Sequence, residues 1–328
     1  MINNPLLFLS NILLDTSVFK IPLIILGLIA LLFLICFLLT ALIVAKAFSR
    51  SKKVSTETLS LYAKYRKTML DGADYFLSLN PEKVTITSHD GLKLNALFYQ
   101  NPANKGTVIM MHGYHGKAVN TFGTVAKVFI DMGLSLLLPD QRAHGESEGK
   151  YLTLAARESE DCLLWTEYIA NKFPGKPISL HGISMGGATV AIAGASNPPK
   201  EVKMIANDCG YTSADDIVTS IRKSVKLPKF PLQYFIRFWA KAIAKFSLTE
   251  KSVVESYKKI TLPCLFIHGK ADNFIPFSMG VTNYENCASQ HKVMIAIENA
   301  GHGLSYIEDP ETVTKALVDF YTKHMLSE

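Results

Sequence analysis

HGISMGG, residues 181–187, sets a serine between glycines in the order Gly182-Ile183-Ser184-Met185-Gly186. As the junction of a strand and a helix, this stretch makes Ser184 a nucleophile on a sharp turn. As a glycine-rich loop it carries no chemistry. The pattern Gly-x-Ser-x-Gly is weak alone, because a chain of 328 residues shows it by chance roughly one time in ten. Its neighbours decide. PISLHG (177–182) is a short apolar run of strand character, and MGGATVAIAGAS behind it is a small-residue helix. Ser184 therefore falls where a nucleophile elbow is built. Gly182 and Gly186 let strand and helix approach closely. Unpaired N–H groups at the helix start place partial positive charge beneath a developing anion.

Outward from this turn, strands and helices alternate. EKVTITSHDGLKLNALFYQ, from residue 82, reads as two strands around Asp90-Gly91. TVIMMHG (107–113), LSLLLPD (134–140), VKMIAND (202–208), PCLFIHG (263–269) and KVMIAIE (292–298) are further short apolar runs. Helical patterns cover 118–131, 152–172 and 310–325. This alternation predicts an α/β fold, with a mainly parallel sheet covered by helices on both faces. One segment, 209–261, has no convincing strand. Within it FPLQYFIRFWAKAIAKF (230–246) is amphipathic. Leu232, Phe235, Ile236, Trp239, Ile243 and Phe246 share one face, and Gln233, Arg237, Lys241 and Lys245 another. The insertion is either a lid over a site or a helix packed on the core.

A serine hydroxyl attacks poorly without a base, and the base needs an orienting carboxylate. Downstream of Ser184, Asp272 follows PCLFIHG and His302 follows KVMIAIE, so all three stand at strand ends, where a sheet of this kind binds ligands. Asp208, closing VKMIAND, is the rival acid. Among the nine histidines, His112 and His115 lie in a loop with no carboxylate beside them in sequence and lack a third zinc ligand. His181 and His268 read as packed strand residues. The oxyanion donors are expected to be the backbone N–H groups of Met185 and of Tyr114 in the loop HGYHG (112–116). No metal or organic cofactor is required.

Residues 21–45, IPLIILGLIALLFLICFLLTALIVA, carry no charge and can span a hydrocarbon core about 30 Å thick. No basic residue precedes Lys20, so the segment reads as an uncleaved signal anchor, not a cleaved leader. Lys46, Arg50, Lys52, Lys53, Lys64, Arg66 and Lys67 follow the span, which predicts that the bulk of the chain is cytoplasmic. The apolar run Pro5 to Leu14 is too short to cross and suits the interface. The expected organisation is a short tail (1–20), the anchor (21–45), a charged helical connector (46–81) and one catalytic domain (82–328). The net charge of +6 gathers beside the anchor, which fits anionic lipid; no nucleic-acid-binding module is found. Five cysteines without C-x-x-C spacing fit reduced, buried thiols.

HGYHG, DQRAHGES (140–147), HGISMGG, DCGYTS (208–213), GKADNFIP and AGHG together resemble the α/β-hydrolase superfamily over residues 82–326. The chain is similar to membrane-anchored bacterial hydrolases related to the serine aminopeptidase and monoglyceride lipase groups. Ala143 stands where many relatives carry glycine, and HGYHG replaces HGGG. The resemblance implies Ser184 as nucleophile, Asp272 as acid, His302 as base and a lid between VKMIAND and PCLFIHG. The activity expected is hydrolysis of a carboxylic ester or thioester, with a small-molecule or lipid acyl substrate and the membrane as partners. The alternatives are a peptidase, which needs acidic groups in the lid to hold a free amine, and a catalytically silent binding protein on the same fold.

Overall fold

A computed structural model describes residues 17–50 and 60–327. The apolar run 5–14 and the lysines at 52 and 53 lie outside the described residues. Helix α1 (Ser17–Phe48) contains the uncharged segment whole and is long and apolar enough to cross a membrane. Most side chains from Ile21 to Leu39 stand exposed, whereas Thr40, Val44 and Phe48 are buried against the rest of the chain. A 3-10 turn (Ser60–Tyr65) leads into α2 (Arg66–Ser78), which buries Met69, Ala73 and Phe76.

The sheet then forms from β1 (Glu82–Thr87), β2 (Lys93–Tyr99), β3 (Thr107–Met111), β4 (Ser135–Pro139), β5 (Ile178–Ile183), β6 (Val202–Asp208), β7 (Cys264–Gly269) and β8 (Lys292–Ile297). The strand order is β1-β2-β4-β3-β5-β6-β7-β8. β2 runs antiparallel to β1 and to β4, and the remaining neighbours are parallel. The helices between and after the strands are α3 (Ala118–Asp131), α4 (Glu158–Lys172), α5 (Met185–Gly194), α6 (Ala214–Ser224), α7 (Leu232–Ile243), α8 (Val253–Tyr257), α9 (Phe277–Asn286), α10 (Ser305–Glu308) and α11 (Pro310–Tyr321).

Period-two alternation sends each strand's side chains to opposite cores. On β3, Ile109 and Met111 join Trp165 of α4, Ala188 of α5 and Tyr257 of α8. Val108 and Met110 join Phe76 of α2, Phe129 of α3 and Leu317 of α11. All of β3 is buried, as a central parallel strand covered on both faces must be. Each such aliphatic side chain contributes roughly 1.5–3 kcal/mol of burial.

Two expectations from the sequence are corrected. The helix expected from 152 begins at Glu158. The Glu158 carboxylate accepts hydrogen bonds from the Thr153 N–H (2.7 Å) and hydroxyl (2.6 Å), which holds 152–157 as a turn with positive φ at Leu154 and Ala155. Such local side-chain bonds compete with helix formation. In the insertion, Gln233 and Arg237 are not a free polar face. Gln233 is buried and donates to Asp215, with which Arg237 makes a bidentate pair at 2.6 and 2.8 Å. The exposed face of α7 shows Tyr234 and Phe238 beside Arg237 and Lys241.

Candidate active site

Ser184 sits at the junction of β5 and α5 with φ 59° and ψ −119°, a conformation that costs energy and is kept where the surroundings enforce it. The junction is tight. A Cβ on Gly182 would overlap the Gly186 carbonyl, and one on Gly186 would overlap the Met111 carbonyl of β3. The Ser184 N–H donates to the Asp208 carbonyl at 2.8 Å, fixing the turn against the end of β6.

Three residues from three strand ends converge here. His302 Nε2 lies 2.8 Å from Ser184 Oγ, and His302 Nδ1 lies 2.7 Å from Asp272 Oδ2. With its proton on Nδ1, the imidazole donates to the carboxylate and accepts from the serine hydroxyl. The second oxygen, Asp272 Oδ1, accepts the N–H groups of Phe274 and Ile275, each at 2.8 Å. His268 Nε2 stands 3.4 Å from Asp272 Oδ2 and 3.0 Å from the Ile275 carbonyl, so His268 abuts the acid and is more than filler in its strand. Burial alone would push the Asp272 carboxyl up. Hydrogen bonds from His268 and His302, the charge of His302 and the Ile275 amide outweigh it and hold the group far below the usual carboxylate range.

Asp208 is differently placed. Its carboxylate meets the Ser305 hydroxyl at 3.4 Å, and burial pushes its carboxyl up to about 6. Behind the pair, the Cys209 thiol lies within 4.8 Å of the Asp272 and His302 donor atoms. Burial, then the charges of Asp208 and Asp272, holds that thiol well above its ordinary range, so it packs as a neutral group.

The loop HGYHG is bolted down by DQRAHGES, a link the sequence did not reveal. The Gln141 N–H donates to His112 Nε2 at 3.0 Å, and the His115 N–H donates to His144 Nε2 at 3.0 Å. The opposite ring nitrogens meet the carbonyls of Gly113 (2.7 Å) and Arg142 (2.8 Å). His112 has a carboxylate in electrostatic reach after all, Asp140, yet burial outweighs it and lowers the imidazole. Burial, the largest cause, holds His144 well below its ordinary range. Both rings stay neutral and act as acceptors. Arg142 anchors this loop in turn, gripping Asp161 at 2.6 and 2.7 Å, with both side chains buried. The Tyr114 amide is thus held between two fixed residues. We expect His144→Ala to lower kcat on a short ester about ten- to hundredfold, less than loss of a whole oxyanion donor. His144→Gln should restore part of it. Steady-state assay checks this, and an unchanged kcat would remove the loop from the chemistry.

Two cavities meet at Ser184, and Tyr114 and Phe274 border both. One, of about 220 Å³, includes Thr121, His181, Asp208 and His302 in its wall. The other, of about 400 Å³, is almost wholly apolar and has Met185 in its wall. His181 is packed, its Nδ1 at 3.0 Å from the Tyr321 hydroxyl.

Comparison with known proteins gives the following. The serine aminopeptidase S33 family matches residues 102–227. An uncharacterized Bacillus subtilis protein, YqkD, is 28% identical over 255 residues, 76% of this chain and 83% of its own length. The monoacylglycerol lipase of Mycolicibacterium smegmatis is 25% identical over 209 residues, 52% of this chain and 72% of its own. Among solved structures, the Pyrococcus furiosus esterase Pf2001 superposes with a TM-score of 0.62 at 26% identity, over 76% of this chain and 95% of that one.

Proposed function

We propose that this chain, an esterase- and lipase-like hydrolase with the α/β-hydrolase fold, is a membrane-anchored serine hydrolase that cleaves a carboxylic ester or thioester. The observation that carries the reading is the hydrogen-bonded line from Ser184 Oγ through His302 to Asp272, at 2.8 and 2.7 Å, on a strained turn. His302 takes the hydroxyl proton as Ser184 attacks the acyl carbonyl. The tetrahedral oxyanion is met by the N–H groups of Tyr114 and Met185. His302 returns the proton to the leaving oxygen or sulfur, which departs and leaves an acyl-enzyme. Water, deprotonated by the same imidazole, releases the acid and regenerates Ser184. Asp272 stays ionised throughout and holds the ring in the required tautomer.

The membrane part of the proposal is supported by α1 and by the basic residues that follow it, which favour a catalytic part on the cytoplasmic side. The description of the S33 family favours a peptidase as the second reading. Against it, the acidic groups of the insertion are engaged elsewhere: Asp215 pairs with Arg237, and Asp216 accepts from Thr212. The test compares p-nitrophenyl acyl esters of graded length with aminoacyl p-nitroanilides in inside-out and right-side-out membrane vesicles. Esters should show kcat/KM at least about a hundredfold higher, and a membrane-impermeant ester should be cleaved by inside-out vesicles only. Faster anilide turnover would favour the peptidase, and cleavage by right-side-out vesicles would reverse the orientation.

A further inference from the structure

The larger cavity has an unusual wall. One side is built from Thr40, Val44 and Phe48 of α1, and the other from Ile217 and Val218 of α6 and Ile236 of α7. Ser184 is part of its lining. The helix that leaves the fold as an apolar rod therefore borders the reactive serine before it leaves.

α1 is fastened to the site at several levels. Its last turns offer carbonyls with no partner further along the helix, and the site supplies one. The Tyr114 hydroxyl donates to the Ala47 carbonyl at 2.6 Å. Just beyond, His115 Nε2 meets the Ser49 carbonyl at 3.2 Å, and Arg50 donates to the carbonyls of Gly145 and Ser147. Higher up, Trp239 Nε1 donates to the Phe37 carbonyl at 2.9 Å. Phe37 packs against Phe235 and Trp239, with ring centroids 5.0 and 4.6 Å apart, and Phe33 against Phe230 at 5.9 Å.

These contacts have a depth. Residues 33 to 45 rise about 18 Å along the axis, more than half of a hydrocarbon core about 30 Å thick. With α1 across the bilayer, the start of α7, packed on Phe33 and Phe37, reaches the hydrocarbon region. The outer surface here agrees: Ile221, Val225, Leu227, Phe230, Tyr234 and Phe238 are all exposed. Lys223, Lys226 and Lys229 are exposed among them.

We infer that the cavity between α1 and the α6–α7 insertion is the acyl-chain site, entered sideways from the bilayer, and that the substrates are esters or thioesters of long acyl chains already dissolved in the membrane. This rests on Ser184 being the nucleophile. An apolar chain drawn out of water into an apolar site gains with every CH₂ it buries. A chain passing from lipid into the same site exchanges one apolar surrounding for another, so length is no obstacle to its entry. The carbonyl then stops at Ser184, and the alcohol or thiol points into the smaller, more polar cavity beyond Tyr114 and Phe274.

The test uses the full chain in phosphatidylcholine–phosphatidylglycerol nanodiscs and a hexadecyl fluorophosphonate with a diazirine at the chain end. After adduct formation, light and proteolysis, cross-links are expected in residues 40–48 and 217–236. Adduct on Ser184 with cross-links only in 69–125 or 306–317 would overturn the acyl-site assignment and leave the hydrolase reading standing. Absence of any adduct on Ser184 would sink the hydrolase reading and this assignment with it. As a second measurement, Val44→Trp should lower the ratio of kcat/KM for a palmitoyl over an acetyl ester at least about tenfold; an unchanged ratio would count against the site.

Discussion

Ser184→Ala is expected to lower kcat on a simple aryl ester by about 10⁴- to 10⁶-fold and to abolish labelling by a fluorophosphonate. The upper figure is the loss seen when a serine nucleophile of this type is removed, and what remains comes from the oxyanion donors and binding. The reason is geometric. The imidazole of His302 stands 2.8 Å from the Ser184 oxygen, and the flanking glycines hold that oxygen on a turn it could not otherwise adopt. Without Oγ, no other hydroxyl of the elbow is presented to the base. Kinetics on purified wild type and variant check this, with circular dichroism as the control for folding. Equal labelling of the two proteins would refute the assignment.

The second large effect separates two acids. Asp272→Asn should cost about 10⁴-fold in kcat, because the amide cannot hold the Nδ1–H tautomer of His302 and charge balance for the imidazolium is lost. Asp208→Asn should cost less than about tenfold. The two carboxyls are buried alike but solvated by the protein in opposite ways. Asp272 receives two backbone N–H groups and two imidazoles, which favour its charged form. Asp208, with burial pushing it up to about 6, has far less to compensate its charge, and an uncharged isostere suits its place. Parallel assays at pH 8, where both carboxyls are ionised in the wild type, decide between them. If Asp208→Asn proved the damaging change, the roles would be exchanged.

Much of this architecture was legible in the chain because it is local. Val108 and Met110 alternate with Ile109 and Met111 as a strand covered on both faces requires, and the Ser184, Asp272 and His302 positions follow short apolar runs in order. What escaped was tertiary. Helical periodicity continues into 152–157, but Thr153 and Glu158 bond each other and delay α4. Gln233 falls on a polar stripe of α7, yet it is buried against Asp215, which also pairs with Arg237. The bracing of HGYHG by Gln141 and His144 spans 29 residues; the motif DQRAHGES was visible, but its partner was not. The contact of Trp239 with Phe37 spans 202 residues. No periodicity within either helix names the other.

The bond between the Tyr114 phenol and the Ala47 carbonyl also bears on the order in which the molecule is made. α1 leaves the ribosome before the sheet does, and in a chain anchored as proposed it is lodged in the bilayer before β3 exists. At about 5–20 residues per second, the stretch from residue 48 to His302 takes on the order of 10 to 50 seconds to follow. The catalytic part then closes around a helix that is already in place, as a mould closes on a fixed core. In such a chain, biogenesis and assembly of the candidate site become one event at the membrane surface, and the site is completed only where a bilayer has first accepted α1.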